Sequence, residues 1–200
     1  MMKNIFIFSL AFTFLSCNNS PKEHSKLETV DSHTEVKQFS KKLSWNASHF
    51  DINFNNDTLT IVPSGLALVN DQVEHPLKGV TITNAEVADL NGDGHAELLV
   101  YLVADGSGSY GDVIAYSVNN GKSMSQIYYT TEADALDIKQ GYMGHDRFAV
   151  TADVFTRTFP VYKDEDSNAK PTGGSRTVLY KLVDGETGRK LVVDKVAAVL

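Results

Sequence analysis

Two stretches of the chain carry side chains whose types and spacing suit chemistry. In residues 89–97, D-L-N-G-D-G-H-A-E, Asp89, Asn91 and Asp93 stand at alternate positions and can turn three oxygen-bearing side chains toward one point. Gly94 permits a sharp turn, and Glu97 with a backbone carbonyl near His95 would close a shell of hard oxygen donors, the kind calcium prefers. His95 itself is not read as a ligand. The same residues also make an Asx-rich turn whose side chains cap backbone amides and hold no metal, so both readings stay open. An EF-hand is excluded, because the twelfth position of such a loop falls on Val100 where a bidentate glutamate is needed.

The second stretch, residues 104–112, reads A-D-G-S-G-S-Y-G-D. Gly106, Gly108 and Gly111 frame Ser107, Ser109 and Tyr110 in a loop longer than a tight turn requires, with one large aromatic turned outward. Such a loop can enter a cleft. It makes a poor phosphate cradle, since it holds no lysine or arginine and no helix start follows it.

Other chemistries fall away. The pattern G-x-S-x-G is absent, so there is no nucleophile elbow, and the histidines at 24, 33, 49, 75, 95 and 145 form no H-E-x-x-H pair for zinc. Asp164, Glu165 and Asp166 read as a solvated loop run. Trp45 and the pair Tyr128 and Tyr129 read as core or edge aromatics rather than a sugar platform. The single cysteine excludes an internal disulfide and any site built from several thiolates. With 18 Lys and Arg against 25 Asp and Glu, a net charge of -7, a broad nucleic-acid footprint is not expected. The chain is read as a binding protein and not as an enzyme.

Both loops need a frame of strands. Phe50, Ile52 and Phe54 alternate with polar residues, Asn55, Asn56 and Asp57 turn the chain, and Leu59 and Ile61 resume the alternation, which is the pattern of a hairpin. Pro63 ends that strand or puts it at an edge. Further strands are expected over 80–88, 97–104 and 113–118, with the unbroken apolar run 98–103 marking a central strand covered on both faces. Residues 147–162 read as one long or bent strand. A polar loop over 163–174 follows, read as a connector in preference to a second contact loop, then strands over 176–183 and 190–193 around the turn at 184–188. Only 132–140 is allowed to be helical. The expected fold is all-β: a single antiparallel sandwich or barrel domain of about eight strands over 39–200. No internal repeat is longer than a hairpin, and a propeller of about four or more blades would not fit.

The N-terminal stretch reads as an address. One lysine precedes an apolar run over 5–15, about 16 Å long as a helix, too short for a hydrocarbon core of about 30 Å but suited to a secretory signal. Ser16 before the only cysteine resembles a bacterial lipoprotein box, with Phe14 in place of the usual leucine. The resemblance implies cleavage of a signal peptide, 1–16, and lipidation of Cys17. Residues 17–38, with few aliphatics and no aromatic, read as a flexible tether. The expected setting is the bacterial cell envelope, anchored to the membrane through Cys17 and facing either the periplasm or the cell surface.

Two family resemblances follow from these residues. The 89–97 loop is similar to the calcium loops of FG-GAP repeats, which also end in an acidic residue before a hydrophobic strand. The longer run 87–116, V-A-D-L-N-G-D-G-H-A-E-L-L-V-Y-L-V-A-D-G-S-G-S-Y-G-D-V-I-A-Y, resembles the core of the periplasmic inhibitors of invertebrate-type lysozyme: an Asp/Asn/Gly loop, an apolar strand and a Ser-Gly-x-Tyr loop in that order. The match covers about thirty residues well and the flanking strands in outline. It implies a lysozyme inhibitor whose loop, Ser107, Gly108, Ser109 and Tyr110, enters the enzyme's cleft. Ser107 and Tyr110 would then hydrogen-bond around the catalytic acids, and Gly108 would allow close approach. Members of that family are typically exported periplasmic proteins, whereas this chain looks lipidated and tethered. The alternative is a calcium-stabilised envelope binding or adhesion lipoprotein in which Asp89, Asn91, Asp93 and Glu97 hold the metal.

Overall fold

The computed structural model describes residues 37–129 and 136–199. Cys17, the signal reading, nearly all of the tether and the first part of the helical stretch lie outside the described residues.

The fold is all-β, in three four-stranded antiparallel sheets, each a meander in chain order. The first holds β1 (Phe39–Trp45), β2 (Ser48–Asn55), β3 (Thr58–Ser64) and β4 (Val73–Pro76); the second holds β5 (Val80–Ala88), β6 (Glu97–Ala104), β7 (Gly111–Asn119) and β8 (Ser123–Ile127). The third holds β9 (Arg147–Thr151), β10 (Val154–Pro160), β11 (Ser175–Asp184) and β12 (Arg189–Val199), and one helical turn, α1 (Leu136–Lys139), precedes it. The all-β, sandwich-like arrangement is the one expected, but with twelve strands in three sheets where about eight strands were expected.

The layering follows from side-chain alternation on the middle sheet. Leu98, Val100 and Leu102 of β6 and Ile114, Tyr116 and Val118 of β7 join Phe50, Ile52, Phe54, Leu59 and Ile61 of the first sheet in one core. Their neighbours Leu99, Tyr101, Val113 and Ala115 face the other way and join Phe155, Phe159, Val178, Tyr180 and Leu191 of the third sheet in a second core. A strand buried on both faces cannot afford the polar half of the usual alternation, which is why 98–103 is apolar throughout.

The turns show where local sequence succeeds and where it does not. Asn56 and Asp57, both in the left-handed region, join β2 to β3 with Asn55 opposite Thr58, the hairpin expected from their types. Pro63 sits on β3 beyond the last residue pair with β4, at a locally open edge where its missing N–H breaks no ladder. The single strand expected over 147–162 is instead two, with Thr151 opposite Val154 and a tight turn at Ala152 (φ 49°) and Asp153 (φ 60°). Alanine is an unusual left-handed residue, so the turn carries no local signature.

Candidate functional site

The 105–110 loop joins β6 to β7 at one end of the middle sheet, and its backbone is held at every step. The Ser107 carbonyl accepts from Asn168 Nδ2 at 2.6 Å. The Gly108 carbonyl accepts from the His145 amide at 2.7 Å, the Ser109 carbonyl from the same amide at 3.2 Å, and the Tyr110 carbonyl from the Ala104 amide at 2.8 Å. Ser109 adopts a positive φ of 42° and its amide donates to the Gly106 carbonyl at 3.2 Å, closing the tip. Four consecutive carbonyls are thus engaged, three of them by two groups far away in the chain, the Asn168 side chain and the His145 amide.

Those groups belong to two loops that approach from the third sheet. The 141–146 loop brings Gly144 so close that a Cβ there would lie 2.0 Å from the Gly108 carbonyl oxygen, and Gly144 also has a φ of 87°. Only glycine fits. The Asn168 side chain comes from the 163–174 loop, where its Oδ1 lies 3.2 Å from His145 Nε2 and its carbonyl accepts from Tyr162 at 3.0 Å. The stretch expected to be a mere connector therefore buttresses the glycine loop. Asp166, part of the acidic run expected to be solvated, shapes that stretch: its carboxylate accepts from the Lys163 and Thr172 amides at 2.7 and 2.8 Å and from the Thr172 hydroxyl at 2.8 Å. These bonds hold it below the ordinary carboxylate range.

Outward, the loop offers Tyr110, which is 51% exposed, with Met143 exposed nearby in sequence to Gly144. The Tyr110 ring packs edge-on against Tyr142, centroids 5.7 Å apart. A Cβ at Gly108 would overlap the Tyr110 ring at 2.4 Å, so the glycine is what lets the ring fold back along its own loop. Ser107 and Tyr110 are exposed residues whose hydroxyls make no hydrogen bond among the described residues.

Beneath lies a buried ion pair that the sequence reading missed. Arg157 Nε donates to Asp146 Oδ1 at 2.7 Å, with side chains 1% and 0% exposed. The other Asp146 oxygen accepts from the Gly111 amide at 2.7 Å and from the Tyr142 hydroxyl at 2.6 Å, fixing both the exit of the loop and the ring beneath Tyr110. The guanidinium lies 4.7 Å from the Tyr142 ring centroid and 5.0 Å from that of Phe159. Burial and the Asp146 carboxylate both push the Tyr142 hydroxyl up from its ordinary pKa, so it stays a donor.

The acidic loop lies at the opposite end of β6, between β5 and β6. Asp89 accepts from the Asp93 amide at 3.0 Å and the Gly94 amide at 2.8 Å, Asn91 Oδ1 accepts from the Asp93 amide at 3.1 Å, and Asp93 accepts from the His95 amide at 2.9 Å. Asn91 also donates to Asp93 at 3.0 Å. Arg189, at the start of β12, reaches Asp93 at 3.0 Å and Glu97 at 3.4 Å. Burial would raise Asp93, but the His95 amide, Asn91 and Arg189 outweigh it and hold the carboxyl below its ordinary value. Glu97 is fully buried, accepting from Ser117 at 2.6 Å and from the Leu90 amide at 2.8 Å. The oxygens that the calcium reading gives to a metal are engaged by amides, a hydroxyl and a guanidinium. Among the described residues no group of three or more His, Cys, Asp or Glu side chains is arranged to hold a metal ion.

Two measurements follow from this geometry. Replacing EDTA by millimolar calcium should shift Tm by less than about 2 °C, and a larger rise would show that the carboxylates turn to a metal. Glu97 adds a pH signature, because burial raises its carboxyl, Ser117 and Leu90 offset this in part, and Asp93 adds to the rise. A carboxyl raised in the folded chain binds its proton more tightly there. Its stabilising contribution is complete below the ordinary glutamate value and is lost as pH climbs through the raised one. The unfolding free energy of the wild-type chain relative to Glu97→Gln should therefore fall in urea melts as pH rises above the ordinary glutamate value. A relative gain over that range would mean that Arg189, not burial, governs this carboxyl.

The remaining aromatics divide. Trp45 packs at the margin of the first core and its Nε1 donates to the Gly94 carbonyl at 3.3 Å, while Tyr129 meets Phe155 and Tyr180 edge-on in the second. Tyr128 is exposed. Comparison of the chain with protein-family models, with curated proteins and with solved structures found no match.

Proposed function

We propose that this chain is a lysozyme inhibitor, not itself an enzyme, that works by inserting the 107–110 loop into the enzyme's active-site cleft. The observation that carries the reading is the combination of a half-exposed Tyr110 at the loop tip with four successive carbonyls already hydrogen-bonded. A loop fixed before contact loses little conformational freedom on binding, and tyrosine supplies a rigid apolar face with a polar tip. The unengaged Ser107 and Tyr110 hydroxyls are donors suited to a pair of catalytic carboxylates. The acidic net charge of -7 favours encounter with a cationic enzyme. The lipoprotein-like start fits a protein held at the cell envelope, where it would protect the wall.

The test is the residual activity of invertebrate-, chicken- and goose-type lysozymes titrated with the chain. Inhibition of one type, complete near equimolar ratio, is the expected result. A well-folded sample that inhibits none of them overturns the proposal and returns attention to the calcium-dependent alternative.

A further inference from the structure

Where β8 leaves the middle sheet it opens a slot of about 400 Å³, within the size range of ligand sites. β8 pairs with β7 only as far as Ala115 and Ile127, after which Tyr128 turns away to meet Lys190 of β12. The first residues of β7 are therefore laddered to β6 on one side and open on the other. The Ala104 amide donates to the Tyr110 carbonyl and the Val118 amide to the Ala96 carbonyl, so even-numbered residues of β7 turn their backbone groups toward β6 and odd-numbered ones away. Val113 thus presents its N–H and C=O to the slot. Its N–H is already taken by Asp112 Oδ1 at 2.8 Å. What is left is a pair of acceptors on adjacent residues, the Val113 carbonyl and Asp112 Oδ2, neither with a partner on this side among the described residues.

The charge of the slot is equally one-sided. No Lys or Arg lines it, and its side-chain donors, on Gln126 and the tyrosines, are neutral. Asp112 is an exposed residue, yet the walls of the slot desolvate its carboxyl and raise it above its ordinary value, which the Val113 amide and the charge of Arg157 offset in part. Arg157 itself is committed to Asp146. Tyr128 supplies an aromatic wall, 66% exposed and packed on no other ring among the described residues. From this geometry we infer that the slot is a docking site for an arginine side chain of a basic partner protein. A guanidinium offers several N–H donors in one plane, enough to serve both acceptors while its face lies on the Tyr128 ring. An anion would meet Asp112, and a neutral group would leave that carboxylate uncompensated. The net charge of -7 steers a basic partner toward the chain. The inference does not rest on lysozyme inhibition. Tyr110 does not line the slot.

The test is a titration of the full chain, followed by NMR signals of the Tyr128 ring and the Gln126 side-chain amide, with N-acetyl-arginine amide, its lysine and citrulline counterparts and free arginine at constant ionic strength. Citrulline keeps the shape of arginine and removes its charge. The arginine amide should bind at least about tenfold more tightly than the citrulline amide and about threefold more tightly than the lysine amide. Asp112→Asn should remove the tenfold advantage, and because an asparagine oxygen can still accept from the Val113 amide, the local backbone is kept. Tyr128→Ala, at an exposed ring, should weaken arginine binding about threefold without moving Tm. Tyr110→Ala should leave it unchanged. Free arginine should bind no more tightly than the amide, whose blocked ends are those of a residue within a chain. Citrulline or lysine amides binding as tightly as arginine, indifference to Asp112→Asn or Tyr128→Ala, tighter binding of free arginine, or no binding at all would each overturn the inference.

Discussion

Replacing Arg157 by leucine should lower the unfolding free energy by about 3–5 kcal/mol, because removing one partner of a buried ion pair leaves the other charge uncompensated. Asp146 would stay in a site where its side chain is wholly buried, with one oxygen still accepting from Gly111 and Tyr142 and the other from nothing. The guanidinium also sits against two aromatic rings, so leucine would leave a poorly filled space between Tyr142 and Phe159. In a chain of this size the loss corresponds to a fall in Tm of about 10 °C. Adding Asp146→Asn to Arg157→Leu should recover part of the loss, since it removes the orphan charge, and a double-mutant cycle by urea denaturation would read the coupling. A single-variant loss below about 1 kcal/mol would show that water reaches Asp146 and that the pair is not the buried brace described above.

Tyr110→Ala should weaken lysozyme inhibition about 100-fold while leaving Tm nearly unchanged. Tyrosine anchors at interface centres are worth about 2–4 kcal/mol on truncation, and each 1.4 kcal/mol is a factor of about ten in the inhibition constant. The ring is half exposed and caps no core, so little stability is lost with it. Tyr110→Phe, which removes only the hydroxyl, should fall between the two and so separate the ring's contact area from its hydrogen bond. Gly144→Ala supplies an independent test that leaves every tip residue in place, because its methyl group must push the Gly108 carbonyl from its position. It should weaken inhibition as well. Full inhibition by Tyr110→Ala would sink the inserted-loop reading outright.

The strands that position the loop were legible because their cause is local or nearly so. The unbroken apolar run of β6 announced a strand covered on both faces, and asparagine and aspartate marked the β2–β3 turn. The glycine loop and the acidic loop fell where the sequence placed them, at the two ends of β6. Their supports were not legible. Arg189 reaches Glu97 from 92 residues away in the chain, and Asn168 reaches Ser107 from 61. Neither residue type at those positions carries a periodic or motif signal. Arg157 on β10 reads as an ordinary polar interruption of a strand until folding brings Asp146 beneath it. The Ala152-Asp153 turn hid for a different reason: tertiary packing holds a conformation that alanine does not select by itself.

The meander order of all three sheets has a consequence for how the chain acquires its fold. Every ladder joins strands adjacent in sequence, so pairing closes short loops at small entropic cost and each sheet can assemble soon after its four strands become free. The middle sheet cannot finish so early. Its second face, with Leu99, Tyr101, Val113 and Ala115, waits for Phe155, Phe159 and Val178, which arrive last. A chain emerging N-terminus first therefore passes through a stage with two sheets stacked and one broad apolar surface bare, the species most prone to self-association. Folding intermediates trapped before β9 should be the ones that aggregate, and docking of the final meander is the step that both ends that hazard and first sets the buttresses behind the glycine loop.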